Sequence, residues 1–239
     1  MKDGSRPVGR RLGRIPGWGL ALAVGSAAGC QYTTAFPSTA PPPARNSGEV
    51  ASAAAEASRL DVPYRLVFEW SVTEPGRRLS GGGAARIEPP GLARIDLFAS
   101  NGERVAAAAL DGDEIRLAGD GGTELPAPAL LWGSLGVYQP GGMRLTGGRQ
   151  YPDGMLELRY SDGRDREYLY TLADDRIERI DVLRAGRASE EVQLALAEGE
   201  RFPQRAVYRN LEAVRELTIT LESVEHVESY PPEIWTLGF

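Results

Sequence analysis

The feature that most constrains the fold is a strict alternation of side chains in the stretch YRLVFEWSV. Its large apolar residues, Tyr64, Leu66, Phe68, Trp70 and Val72, stand at every second position. Successive side chains of a β-strand point to opposite sides, so this period of two predicts a strand with one buried face. A helix would instead spread the same five residues around its circumference.

The same period recurs in short segments along most of the remaining chain. Polar, turn-forming sequences such as EPGRR, SNG, SDGRD and ADD separate these segments. The predicted strands are 64–72, 79–88, 92–98, 103–110, 113–119, 155–161, 166–173, 176–183, 191–197, 204–210 and 215–224. Short connections of this kind join antiparallel neighbours. Roughly ten strands at this spacing predict a mainly β protein, with one continuous antiparallel sheet curled into a barrel or half-barrel.

One apolar segment, LPAPALLWGSLGVYQPGG, interrupts the strands at residues 125–142. Prolines and glycines bracket it, and its centre is Leu130, Leu131 and Trp132. Two interpretations are open. The segment forms a short helix over an open sheet, or it is a hydrophobic plug in an ordinary core.

The N-terminus has the three parts of an export signal. A basic stretch is followed by an apolar run from Trp18 to about Ala28 and then by small residues. The run is shorter than the roughly 20 residues that span a bilayer. The sequence Ala-Ala-Gly before Cys30 is similar to the bacterial lipobox, which implies cleavage before Cys30 and acylation of its thiol. Two acyl chains anchor a protein stably. The alternative is an ordinary signal peptide with a cysteine there by chance.

The domain organisation follows from this N-terminus. We predict a lipoprotein signal peptide over residues 1–29, a lipidated Cys30 with a disordered, Pro-rich tether over 30–47, and a folded domain over 48–239. An alanine-rich helix over 48–60 opens that domain. Gln31 replaces the aspartate that retains lipoproteins at the inner membrane of enteric bacteria, and this resemblance favours the outer membrane facing the periplasm.

Composition and motifs argue against most chemical functions. The chain has 27 basic and 33 acidic residues, a net charge of -6, which disfavours binding to a nucleic-acid backbone. His226 is the only histidine and Cys30 the only cysteine, so a zinc site has too few ligands. A hydrolase that uses His226 as a base remains a third-ranked alternative, because no nucleophile stands in a recognisable motif. The sequence predicts no enzyme, metal or cofactor.

From Tyr64 to Phe239 the chain resembles the LolA/LolB superfamily of lipoprotein carriers and receptors. The resemblance rests on ARIDLFASNGERVAAAALDGDEIRLAG, on PAPALLWGSLGVYQP, and on the ending FPQRAVYRN followed by RELTITLESVEHVESYPPEIWTL. The predicted lipid anchor makes lipidated LolB the closer relative. The resemblance implies an unclosed half-barrel with an apolar concave face and a helical lid.

The resemblance implies that such a cavity binds the acyl chains of lipoproteins or lipids, received from a periplasmic LolA-like carrier during lipoprotein localisation. The resemblance implies a cavity lined by Phe68, Trp70, Ile95, Leu97, Leu158 and Tyr160, under a lid of Leu130, Leu131 and Trp132. LolB carries an exposed leucine in the loop after its third long strand, and Asn101 occupies that place here. The alternative function is a non-transferring envelope scaffold whose barrel interior is filled.

Overall fold

In the computed structural model, which describes residues 46–118 and 125–237, twelve antiparallel strands form one sheet. The strands are β1 Tyr64–Glu74, β2 Arg77–Glu88, β3 Leu92–Ala99, β4 Arg104–Asp111, β5 Glu114–Ala118, β6 Arg144–Gln150, β7 Leu156–Ser161, β8 Arg166–Ala173, β9 Arg176–Arg184, β10 Arg187–Ala195, β11 Arg205–Asn210 and β12 Arg215–His226. Two α-helices are described, α1 Ser47–Ala57 and α2 Pro128–Ser134, with a 3₁₀ helix over Pro232–Trp235. All described residues lie in one compact unit, Ala40–Phe239.

The sheet is open. Its strand order is β5-β4-β3-β2-β1-β12-β11-β10-β9-β8-β7-β6, so β5 and β6 are the edges. All pairings but one join strands that are consecutive in sequence, and the exception joins β1 to β12, with Tyr64 opposite His226. The predicted single antiparallel sheet is therefore confirmed, as is its failure to close.

Two strand predictions were wrong in detail. Strand β6 was missed, because Gly147 and Gly148 interrupt the alternation on which strand recognition depends. Strand β10 begins at Arg187, before the predicted 191–197. Its first residues, RASEE, were not recognised because they are small or polar and show no apolar alternation. Helix α1 begins at Ser47, one residue before the predicted start of the folded domain, and ends at Ala57, before the predicted 60.

Glycines in β2 let the neighbouring strands approach closely. A Cβ on Gly83 would lie 2.3 Å from Cε2 of Phe68, and one on Gly81 would lie 1.9 Å from the carbonyl oxygen of Phe98. That carbonyl accepts a hydrogen bond from Nε1 of Trp70 at 3.1 Å, and the same nitrogen lies 2.9 Å from the carbonyl of Gly82. The Gly-Gly-Gly sequence thus makes room for two large aromatic side chains of β1.

The two faces of the sheet differ in chemistry. The inner face carries one continuous apolar core to which β1 to β4, β7 to β12 and both α-helices contribute. The outer face of β3 carries Asp96, which is buried among Arg86, Arg94 and Arg104. None of the helices within the described ranges is long and apolar enough to cross a membrane.

Candidate functional site: the inner face and its cover

The structure brings the nine candidate cavity and lid residues into one cluster. Phe68, Trp70, Ile95, Leu97, Leu158, Tyr160, Leu130, Leu131 and Trp132 belong to the same apolar core, and none is more than 5% exposed. Across β1, β2 and β3, Phe68 lies opposite Gly83, which lies opposite Leu97. Leu158 and Tyr160 lie on β7, near the other edge of the sheet.

Helix α2 lies against the inner face, as the first interpretation of residues 125–142 predicted. It packs against β9, β10 and β11, and a Cβ on its Gly133 would lie 2.2 Å from Cδ1 of Ile180. Its Trp132 reaches the opposite half of the sheet and donates a 2.8 Å hydrogen bond to the carbonyl of Gly112, in the β4–β5 turn. Strands β4 and β9 are far apart in the strand order, so the sheet curls around α2.

The segment that contains α2, residues 125–143, is here called the cover. Within the described ranges, every backbone–backbone hydrogen bond of its loops is internal to the cover. Each hydrogen bond between the cover and the sheet involves at least one side chain. Besides the Trp132 bond, the hydroxyls of Tyr138 and Tyr160 are hydrogen-bonded, and the Gly142 N–H donates to Oδ2 of Asp113 at 3.0 Å. Apolar packing therefore dominates the attachment of the cover.

Tyr138 of the cover meets Tyr160 and Tyr170 of the sheet, and these three residues are here called the tyrosine cluster. The rings of Tyr138 and Tyr160 pack edge-on against Tyr170, with centroids 5.2 and 5.7 Å away. The hydroxyl of Tyr170 is buried and has no hydrogen-bond partner among the described residues. Burial is the largest cause that raises the pKa of Tyr138 and Tyr170 well above the usual range. These phenols are therefore neutral hydrogen-bond donors at physiological pH.

Sequence reasoning singled out Tyr160 but missed Tyr138, Tyr168 and Tyr170. The signal for two of them was present, because Tyr168, Tyr170 and Leu172 alternate along REYLYTLA in β8 and all face the core. Tyr138 lies in the cover after α2, where no periodicity marks it.

An open pocket of about 670 Å³ lies beside the cover. Its walls combine apolar residues of the cover, including Pro128 and Met143, with Arg164, Arg166 and Tyr168 from the β7–β8 hairpin. Asp113, Asp162 and Asp165 also line it, so its charge is mixed. Tyr168 belongs both to this pocket and to the core, and in register it lies opposite Tyr160. The pocket therefore reaches the edge of the tyrosine cluster.

A buried polar group lies near this cluster. Glu190 of β10 is 7% exposed and accepts a 2.8 Å hydrogen bond from the hydroxyl of Tyr208, while Arg166 lies 3.4 Å from its other oxygen. The buried carboxylate is paired with these two neighbours, which link β8, β10 and β11.

No protein-family model matches the sequence, and no curated protein matches it. Solved structures do. A LolA superfamily protein from Nitrosomonas europaea superposes with a TM-score of 0.54 at 11% identity, covering 79% of this chain and 97% of its own. The fold is LolA-like. An outer membrane lipoprotein-sorting protein domain from Vibrio parahaemolyticus gives a TM-score of 0.50 at 8% identity, covering 80% of this chain and 97% of its own.

A DUF1329 family protein from Desulfovibrio piger gives a TM-score of 0.51 at 8% identity, covering 80% of this chain and 95% of its own. At such identities the likeness establishes the LolA-like fold alone. Function has to be argued from the residues that this chain places on its inner face.

The remaining candidate residues lie away from the inner face or outside the described ranges. His226 is exposed at the end of β12, with its ring edge-on against Tyr64 at 4.6 Å. Asn101 lies in the β3–β4 turn, where its Oδ1 accepts the N–H of Glu103 at 3.0 Å. Cys30, the signal peptide and most of the tether lie outside the described residues. Among the residues described, no group of three or more His, Cys, Asp and Glu could hold a metal ion.

Proposed function

We propose that this protein is a membrane-anchored envelope lipoprotein that binds the acyl chains of lipoproteins or lipids between the inner face of its sheet and the cover. One observation carries the proposal. The strands are paired to one another along the whole sheet, whereas the cover is attached through side chains. The cover can therefore leave the sheet without breaking a backbone hydrogen bond of the ladder.

Displacing the cover would expose a large apolar surface to water, which is unfavourable by itself. An acyl chain that takes the place of the cover side chains removes this penalty, because each buried methylene contributes about 0.8 kcal/mol. No directional chemistry is required. The inner face supplies Phe68, Trp70, Ile95, Leu97, Leu158 and Tyr160 for this contact, and the cover supplies Leu130, Leu131 and Trp132.

The tyrosine cluster gives the site a hydroxyl that can donate a hydrogen bond to a ligand. A buried hydroxyl without a partner is destabilising, so it gains free energy when a ligand offers an acceptor. Tyr170 has such a hydroxyl. We infer that it donates to the ester or carboxyl oxygen of the bound chain. The pocket of about 670 Å³ beside Tyr168 would serve as the entrance.

The anchor and the location are part of the same proposal. The lipobox-like sequence before Cys30 supports a lipid anchor, and Gln31 after it supports the outer membrane. A periplasmic LolA-like carrier would deliver the cargo. Binding of this kind uses no catalytic group, metal or cofactor, and the protein is proposed not to be an enzyme.

A non-transferring envelope scaffold is the second candidate. The near-complete burial of all nine candidate residues favours it, because a filled interior requires packing of this kind. The two candidates differ in one property. A carrier opens its cover to a ligand, and a scaffold keeps it closed.

The test uses the unit 40–239 without a lipid anchor, first checked for cooperative unfolding. Organic extraction identifies co-purified lipid, and titration with a fluorescent C18 fatty acid measures binding. We expect saturable binding of one probe per protein, displaced by unlabelled fatty acid and weakened by Tyr170→Phe. The matched control is Tyr230→Phe, which removes a hydroxyl that bonds to the carbonyl of Tyr64, outside the inner face. A folded protein without saturable binding would contradict the proposal and favour the scaffold.

A further inference from the structure

The β11–β12 hairpin exposes two large apolar side chains at its tip. Val214 is 69% exposed and Leu211 is 45% exposed. Val214 also has a φ of 51°, in the left-handed region where a β-branched residue is strained and glycine fits better. The hairpin thus keeps an apolar side chain in water and in an unfavourable conformation. An exposed apolar side chain held in a strained conformation makes Val214 a candidate binding residue.

Two other hairpins flank this tip at the same strand ends. Nε of Arg215 lies 3.0 Å from Oε2 of Glu74 in β1, and Nη1 of Arg184 lies 3.0 Å from Oε2 of Glu212. The β1–β2, β9–β10 and β11–β12 hairpins therefore form one continuous surface. This surface, residues 74–78, 184–187 and 209–216, is here called the basic end.

The basic end is rich in arginine. Its six arginines are Arg77, Arg78, Arg184, Arg187, Arg209 and Arg215, and its carboxylates are Glu74, Glu212 and Glu216. Each of the three carboxylates pairs with an arginine of the same surface. Arg184 and Arg209 also pair with carboxylates outside these ranges, Asp165 at 3.4 Å and Glu191 at 2.7 Å. The arginines still outnumber the carboxylates, so the basic end, which includes Leu211 and Val214, keeps a positive balance.

The opposite ends of the neighbouring strands have the reverse charge. The β8–β9 turn and the β10–β11 loop are joined by Nη1 of Arg176, which lies 3.1 Å from the carbonyls of Ala197 and Glu200. Residues 174–176, 196–201 and 223–228 carry the carboxylates Asp174, Asp175, Glu198, Glu200, Glu225 and Glu228, against two arginines, Arg176 and Arg201. The chain as a whole has a net charge of -6. Composition therefore does not account for a basic end.

We propose that the basic end docks on an anionic lipid bilayer, with Leu211 and Val214 inserted among the acyl chains. Arginines around an apolar tip suit this occupant, because the guanidinium groups bind lipid phosphates while the apolar side chains leave water. The acidic opposite ends then face away from the negatively charged surface. This proposal concerns the bilayer surface and is independent of acyl binding under the cover.

The test measures flotation of the unit 40–239 with vesicles of phosphatidylglycerol and phosphatidylethanolamine, and with neutral phosphatidylcholine vesicles as a reference. We expect binding to the anionic vesicles that falls at least tenfold between 0.05 and 0.5 M salt, because surface charges are screened. Arg187→Glu should lower the affinity about fivefold or more, since each basic residue near such a surface contributes about that factor.

The decisive variant is Val214→Gly. It should raise the urea midpoint, because glycine relieves the left-handed strain, and it should lower vesicle affinity about tenfold, because the inserted side chain is lost. Leu211→Ser should lower the affinity similarly. The matched control is Val224→Ser, at a residue that is 39% exposed among the acidic ends and should leave affinity unchanged.

A vesicle affinity that is unchanged in Val214→Gly and Leu211→Ser would overturn the proposal, and so would the absence of vesicle binding. Either result would point to a protein partner for this end. Titration of the same variants with the fluorescent fatty acid keeps the two proposals distinguishable. Acyl-probe binding should persist in every tip variant, because the tip lies outside the core.

Discussion

Two short helical segments lie against the two faces of one sheet, and they are held in different ways. The cover places α2 on the inner face through Leu130, Leu131 and Trp132, all buried in the apolar core. Residues 227–237, here called the C-terminal segment, place their 3₁₀ helix on the outer face of β3, where Nη1 of Arg94 donates to the carbonyl of Ile234 at 2.8 Å. Asp96 orients that arginine through two further bonds, at 2.9 Å each.

This difference suggests which segment can exchange with a ligand. Hydrogen bonds require defined partners, so the C-terminal segment fits its place through specific donors and acceptors. Apolar packing is non-directional, so an acyl chain can substitute for the side chains of the cover. The inner face is therefore the face that suits a lipid cargo.

The largest expected effect compares one tryptophan of each segment. Trp132→Ala should lower the free energy of unfolding by about 3–5 kcal/mol, because it leaves a cavity in the core. Trp235→Ala should lower it by about 1 kcal/mol, since this half-buried ring packs edge-on against Tyr230. Urea unfolding measures both. Equal losses would contradict the assignment of α2 to the core and of the 3₁₀ helix to the periphery.

The next effect concerns the ionic attachment on the outer face. Asp96→Ala should lower stability by about 2–3 kcal/mol, because Arg86 and Arg94 lose the buried carboxylate that they share. This expected loss of stability is smaller than for a fully buried ion pair, because both arginines still reach water. Asp181→Ala is the control, since Asp181 pairs with the exposed Arg179 and should contribute less than about 1 kcal/mol. A smaller loss for Asp96 than for Asp181 would refute the account of the outer face.

Two adjacent glycines of β2 allow the two faces of the sheet to be compared at neighbouring positions. Gly83→Ala should destabilise the protein by about 1–3 kcal/mol, because its Cβ would overlap the ring of Phe68 on the inner face. Gly82→Ala points to the other face, where a Cβ meets nothing within 4 Å, and its effect should stay within about 0.5 kcal/mol. Thermal or urea unfolding of both variants checks this, and a reversed order would place Phe68 elsewhere.

The smallest effect compares two tyrosine hydroxyls. Tyr170→Phe should leave stability unchanged or raise it by up to about 1 kcal/mol, because the buried hydroxyl has no partner among the described residues. Tyr230→Phe should lower stability by about 1 kcal/mol, because it loses the 2.9 Å bond to the carbonyl of Tyr64. A clear loss of stability in Tyr170→Phe would show that its hydroxyl has a partner within the protein. The hydroxyl would then not be available to the bound chain as proposed.

The sequence predicted the sheet, the inner face and the helix of the cover, because each depends on local patterning. Alternation in β1 identified Phe68 and Trp70, and the prolines and glycines around Leu130 marked a segment that is not a strand. Strand β6 was not predicted, because Gly147 and Gly148 carry no side chain that could alternate.

Other features depend on contacts distant in sequence. Asp96 alternates with Ile95 and Leu97 as a solvent-facing residue should, yet it is buried because the C-terminal segment and three arginines surround it. The unpartnered hydroxyl of Tyr170 and its meeting with Tyr138 likewise follow from the position of the cover on the sheet. No local pattern encodes these placements.

The most direct test of the central claim, that the cover opens to admit an acyl chain, is to lock it. A Cβ on Gly133 would lie 3.5 Å from Cγ1 of Ile180, and the Sγ of a cysteine at position 180 takes about the place of that atom, so cysteines at both positions can form a disulfide. The unsubstituted unit 40–239 is the control for redox conditions, because Cys30 is the only cysteine of the chain. Binding of the fluorescent fatty acid is measured in the oxidised and reduced states of the Gly133→Cys, Ile180→Cys variant. We expect binding in the reduced state, loss of binding on oxidation and recovery on reduction, whereas equal binding in both states would contradict opening of the cover.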